Sequence, residues 1–121
     1  MSVALKNLDA TGSTAMSTSS ALHRLAVGRD GAAWTAILEC HGMDILQLAQ
    51  RITGDKALSD DICQETLLQI REYAGRFRPL ANPAETETAA KGWIMCIAYR
   101  SALGMLRQRR RRNQNEAQAR I

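Results

Sequence analysis

From Leu22 to Leu106 the apolar residues of this chain return every three or four positions, and no stretch alternates as a half-buried strand does. That periodicity confines the fold to helices, each turning one apolar stripe toward a shared interior. At 121 residues the chain has material for one core and not for two. Trp34, Trp93, Tyr73, Tyr99 and Phe77 are its only aromatic residues, so Leu, Ile, Ala and Met must fill that interior. No run approaches the roughly 18–20 uninterrupted apolar residues of a membrane span, so membrane insertion is not expected.

Caps and breakers divide the pattern. Residues 1–19 run through Thr, Ser, Ala and Gly with little periodicity and read as a flexible leader. Ser19 or Ser20 is expected to cap a short helix ending at Val27, with Leu22, Leu25 and Ala26 on one side. Asp30 caps the next helix, whose stripe is Trp34, Ile37, Leu38 and His41. Gly42 should break or kink it before Ile45, Leu48, Ala49 and Ile52 resume the period, and Gly54 should end it. A third helix is expected from Asp55–Ser59 to about Ala74, with Leu58, Ile62, Thr66, Ile70 and Tyr73 on one face and Gly75 as its stop. Between Phe77 and Glu87, two prolines and few apolar residues predict an irregular loop. Thr88 should cap the last helix, with Glu85 and Glu87 favourable near its positive end. Ala90, Trp93, Ile94, Ile97, Ala98 and Ser101 mark that helix's apolar face, which runs on toward an arginine run. Residues 113–121 read as a fraying tail or the start of a linker. The expected architecture is an all-α, compact bundle of three to four helices.

Charge is unevenly distributed. Residues 1–88 carry a balance of −3 and residues 89–121 one of +7, which add to the net +4. An acidic body with a basic end suits two different partners, the basic pole facing a polyanion. Cys40, Cys63 and Cys96 are odd in number and scattered, which argues against a disulfide framework and suits a reducing compartment. Cys40, His41 and His23 lack metal-ligand spacing, so no metal and no cofactor is expected. Two histidines in different segments assemble no Ser-His-Asp or Cys-His set, and no phosphate loop is present, so the chain does not read as an enzyme.

Four strings carry more than periodicity does. Gly28-Arg29-Asp30 leads into Ala32-Ala33-Trp34, and Arg51-Ile52-Thr53-Gly54-Asp55 shortly precedes Asp60-Asp61-Ile62-Cys63-Gln64-Glu65-Thr66-Leu67-Leu68. Trp93-Ile94 and Ile97-Ala98 are followed by Leu106-Arg107-Gln108-Arg109-Arg110-Arg111-Arg112. In this order the strings resemble region 2 of the bacterial extracytoplasmic-function (ECF) sigma factors, of the sigma-70 superfamily, over residues 20–112. The resemblance implies a cytoplasmic transcription-initiation module that binds core RNA polymerase and recognises and melts the minus-ten promoter element. It assigns Asp61, Gln64 and Glu65 to the clamp helices of the largest polymerase subunit. Their i, i+3, i+4 spacing puts the three side chains on one helix face.

By the same resemblance, the loop after Phe77 forms a pocket for a base flipped from the non-template strand. Extruding a base costs a few kcal/mol, which the pocket's contacts must return. Phe77 has two readings, a stacking platform worth ~1–3 kcal/mol or a plug at a helix end. Arg78 and Lys91 flank the loop as phosphate-neutralising candidates, and Arg107, Arg109, Arg110, Arg111 and Arg112 follow as the main phosphate-binding set. If three arginines engaged duplex phosphates, log affinity would fall against log salt with a slope of about −2.7. The competing reading is a disordered tail with nonspecific polyanion affinity.

Two positions depart from the family pattern. Arg100 stands where the family usually has an Asn that helps read a minus-ten base, which changes the expected specificity, since Arg pairs best with guanine. Gly104 stands where Asp is frequent, and either admits a close neighbour or marks a bend. The family's second domain, which reads the minus-thirty-five element, is not found in these residues. An anti-sigma factor is a further partner the family allows. Two alternatives remain at this point: a polymerase-binding regulatory homologue or decoy without specific promoter readout, and a generic basic helical nucleic-acid binder.

Overall fold

The computed structural model describes residues 16–120. Four helices succeed one another, α1 (Thr18–Val27), α2 (Gly31–Thr53), α3 (Lys56–Tyr73) and α4 (Pro83–Ala119), with one 3-10 turn (Ala74–Arg76) after α3. Among the described residues there is no strand, and the architecture is the all-α bundle expected. Most of the expected leader, residues 1–15, lies outside the described residues.

The apolar stripes meet where the periodicity puts them. Leu22 of α1, Ile37 and Ile45 of α2, Ile70 of α3 and Ile94 of α4 are fully buried in one cluster. A smaller cluster gathers Ala49, Leu58, Ile62 and Ala102, with Ile52, Met105 and Leu106 against it. Each such Leu or Ile contributes about 1.5–3 kcal/mol by leaving water.

Several boundaries differ from expectation, each for a local reason. Ser17, not Ser19 or Ser20, caps α1, because its hydroxyl accepts the Ser20 amide at 3.1 Å. Ser19 lies inside the helix and turns its own hydroxyl to Glu87. Gly42 neither breaks nor kinks its segment into two, since α2 is one helix of 23 residues. A Cβ there would meet Leu38 Cδ1 at 3.1 Å, so the glycine makes a notch under Leu38, which is itself exposed rather than core. Gly54 does end α2, in the left-handed region at φ 66°, a conformation that favours glycine. Asp30 caps α2 as expected, and α3 starts within the expected span, capped by the Asp55 side chain.

The end of α3 and the start of α4 need more revision. Gly75 is not a left-handed stop: α3 gives way to the 3-10 turn one residue earlier, closed by the Phe77 amide on the Ala74 carbonyl at 3.2 Å. Tyr73 is not on the core face but exposed, with the Arg76 guanidinium 4.6 Å over its ring. The last helix starts at Pro83, not Thr88, because Asn82 Oδ1 accepts the Ala84 and Glu85 amides and Pro83 needs no donor in the first turn. Buried Thr86 fastens the loop to the new helix through the Leu80 amide and carbonyl. At the other end α4 runs on through Ala119, so the expected fraying tail is helical there.

Candidate nucleic-acid and protein interface

On α3 the residues Asp61, Gln64 and Glu65 share a face turned away from the buried stripe of Ile62, Thr66 and Ile70. Asp61 and Gln64 are exposed, and Glu65 is half-buried, its Oε2 accepting the Gln69 amide nitrogen at 2.8 Å. The same face continues one turn on with Leu68, which is 50% exposed. A leucine at i+7 from Asp61 was counted with neither the polar face nor the core in the sequence, yet it adds an apolar contact point to an otherwise polar surface. Cys63, on the opposite edge, faces Gly42 of α2, and burial followed by the charge of Asp60 pushes its thiol up.

Phe77 stands half-buried between two roles. Its ring meets that of Trp93, ten residues into α4, at 6.0 Å between centroids with a 60° tilt. It also lines a cleft of about 580 Å³ with Leu22, His23, Ala26 and Arg78, walled on one side by α1. Arg78 donates from Nη1 to the carbonyls of Gly75 and Phe77, which holds its guanidinium beside the cleft while the residue stays exposed.

The basic residues of α4 do not behave alike. Trp93, Arg100, Gly104, Arg107 and Arg111 follow one another at intervals that keep them on a single helix face. Arg100, Arg107 and Arg111 are exposed, and Arg110 is exposed on another side. Arg109 is half-buried and its Nη1 lies 2.6 Å from Asp55 Oδ2. Lys91 sits on the third turn of α4, 3.7 Å from Asp44 of α2, as an exposed pair. Two of the expected phosphate-binding cations therefore already face a carboxylate. At Gly104 a Cβ would meet nothing within 4 Å, so no neighbour within the described fold requires the glycine, and the helix continues through it.

One polar cluster was not foreseen as such. Glu87, expected only to favour the start of its own helix, reaches across to α1 and accepts the Thr18 amide at 2.8 Å, the Ser19 amide at 3.1 Å and the Ser19 hydroxyl. Partial burial opposes its ionisation, but the bonds from Ser19 and Thr18 outweigh that and hold its carboxyl below the usual range. Beside it, buried His41 pairs through Nε2 with the Thr18 hydroxyl at 2.7 Å, and its Nδ1 has no partner. Burial and then the charge of Lys91 push the imidazole down, against Asp44 and Glu87. His41 is thus a structural residue of the α1 seat. No group of three His, Cys, Asp or Glu side chains that would hold a metal occurs among the described residues, and no described helix is long and apolar enough to cross a membrane.

No curated protein and no solved structure matches the chain. Residues 37–112, which span α2 from Ile37, all of α3, the loop and α4 as far as the arginine run, match the Sigma-70 region 2 family. The match covers more than half of the sequence, and the chain belongs to the Sigma-70 region 2 family of transcription-initiation domains, which are not enzymes.

Proposed function

We propose that this chain is the region 2 module of an ECF-type sigma factor, working in the bacterial cytoplasm with core RNA polymerase and promoter DNA. In this reading residues 20–112 are the working body. Asp61, Gln64 and Glu65 dock on the clamp helices of the largest polymerase subunit, with Leu68 as an added apolar contact. The cleft beside Phe77 takes a base of the non-template strand of the minus-ten element, with Arg78 at its rim. Arg100, Arg107 and Arg111 follow the phosphates along α4. Melting needs no catalytic residue, because binding the opened strand supplies the free energy.

The observation that carries this reading is the separation of two exposed polar faces on one rigid core. The fold uses Ile62, Thr66 and Ile70 of α3 for packing and leaves Asp61 and Gln64 in solvent. It likewise uses Ile94, Ile97 and Ala98 of α4 and leaves Arg100, Arg107 and Arg111 without a carboxylate partner among the described residues. The test is a Gln64→Ala/Glu65→Ala double variant in a pull-down with core polymerase. Both positions lie off the core, so the fold should survive within about 0.5 kcal/mol while polymerase binding is lost. Retained binding by the folded variant overturns the reading.

Arg100 supports a second reading, a regulatory homologue that keeps the polymerase surface without specific promoter readout. Its test compares binding of a matched and a scrambled single-stranded promoter oligonucleotide at physiological salt. Equal affinity favours the homologue.

A further inference from the structure

We infer that Asp55 is a positioning residue for the basic helix, holding Arg109 against the turn between α2 and α3 and so withholding it from DNA phosphates. The inference rests on the DNA-binding reading of α4. Asp55 divides its carboxylate between two tasks: Oδ1 accepts the Leu58 amide at 2.9 Å as the cap of α3, and Oδ2 meets Arg109 Nη1 at 2.6 Å. Its backbone is held independently of that pair. The Asp55 amide donates to Thr53 Oγ1 at 3.2 Å, and its carbonyl accepts the Ser59 hydroxyl at 2.7 Å. The carboxylate is therefore preorganised at the positive end of α3, where negative charge is favoured. The Leu58 amide and then Arg109 hold its carboxyl below the usual range.

Arg109 also lies at a transition in α4. Ala102, Met105 and Leu106 just before it pack against Leu58 and Ile62, whereas every described residue from Arg110 onward is exposed. Arg109 is the last described residue of α4 that is not exposed, and about 15 Å of exposed helix follows its pair with Asp55. A phosphate would have to displace a carboxylate already in place, so binding DNA releases no counterion from Arg109. The exposed Arg107 and Arg111, two residues to either side, have no such partner among the described residues.

The test measures binding of the full chain to a short fluorescein-labelled DNA duplex across a salt series. Asp55→Asn keeps a capping oxygen and removes the charge. Arg111→Gln should flatten the log-log salt slope by about 0.9, or roughly 3.5-fold between about 50 and 200 mM salt. Arg109→Gln should leave the slope unchanged. Asp55→Asn should steepen it by about 0.9, and that gain should vanish in the Asp55→Asn/Arg109→Gln double variant. An Arg109→Gln effect as large as that of Arg111→Gln overturns the inference, as does an unchanged slope in Asp55→Asn. A gain that persists in the double variant also overturns it, since added positive charge then acts without Arg109. If Arg107→Gln and Arg111→Gln both leave the slope unchanged while Asp55→Asn steepens it, the proposed DNA face fails and the role of Asp55 stands.

Discussion

The two ends of α4 obey different physics although they form one helix. Its first half buries Thr86, Ala90, Ile94, Ile97 and Ala98, and sends Glu87 across to seat α1. Its last ten helical residues, Arg110–Ala119, are all exposed. The first half is held by removal of apolar surface from water and by hydrogen bonds at close range. The second has its backbone bonds and three consecutive arginines, Arg110, Arg111 and Arg112, whose like charges repel. Burial is insensitive to salt and charge is not, so the same helix should be indifferent to salt where it builds the body and sensitive to it at its basic end. Arg109 marks the border, because it is the last basic side chain with a carboxylate of its own.

The strongest way to break the comparison is to open the held end. Ile94→Ala leaves a cavity among fully buried neighbours and should cost about 2–5 kcal/mol in urea unfolding, equally at low and high salt. A loss that depends on salt would mean that the held end is not held by burial. Glu87→Ala strips the Thr18 and Ser19 amides of their shared acceptor and should cost about 1–2 kcal/mol. Hydrogen exchange should then quicken in α1 and stay slow in α3; unchanged α1 protection would remove Glu87 from its assigned place.

Acid should loosen the same seat. The His41 imidazole is held below its ordinary value of 6.5, so the unfolded chain takes up a proton first as the pH drops. Its contribution is therefore complete above about 6.5 and declines as the pH falls toward the folded value. Glu87 adds a second decline below its ordinary 4.5, as the pH falls through its depressed folded value. Thermal melts of His41→Gln should lose the upper part of this acid dependence and keep the lower; an unaltered upper part would show that another group titrates there. The smallest effect is expected at Gly104. Alanine there meets nothing and restores helix propensity, so melting should show a gain of about 0.5–1 kcal/mol. A loss of stability would reveal a contact at Gly104 that the packing does not contain.

Much of the body is legible in order along the chain. The stripes through Ile37, Ile45, Ile62, Ile70 and Ile94 predict the core because helical spacing alone puts them on one side of each helix. Asp30 and Gly54 predict their caps because a cap is a local hydrogen bond or a local dihedral angle. Asn82-Pro83 carries an equally local start signal, but the proline and polar content around it reads as loop, and Thr88 sits closer to the first apolar pair. Gly42 reads as a break because propensity counts the glycine and does not see that the helix as a whole packs against α1, α3 and α4.

The candidate surfaces divide in the same way. That Asp61, Gln64 and Glu65 share a face follows from their spacing. That Leu68 joins them in solvent does not, since an exposed and a buried leucine look alike in sequence. Glu87 reads as an acid near its own helix start, yet its partners lie 68 and 69 residues away on α1. Arg109 reads as one of five equivalent arginines, and only its angle around α4 and a carboxylate 54 residues upstream set it apart.

By itself, then, the sequence determined an all-α body, its apolar stripes, its local caps and a family likeness, all of which rest on spacings of a few residues. Only the tertiary structure decided which polar groups are already engaged. Pairing of Glu87 with the first turn of α1, and of Asp55 with Arg109, depends on distances set by how whole helices pack, and those distances are carried by no short stretch of chain.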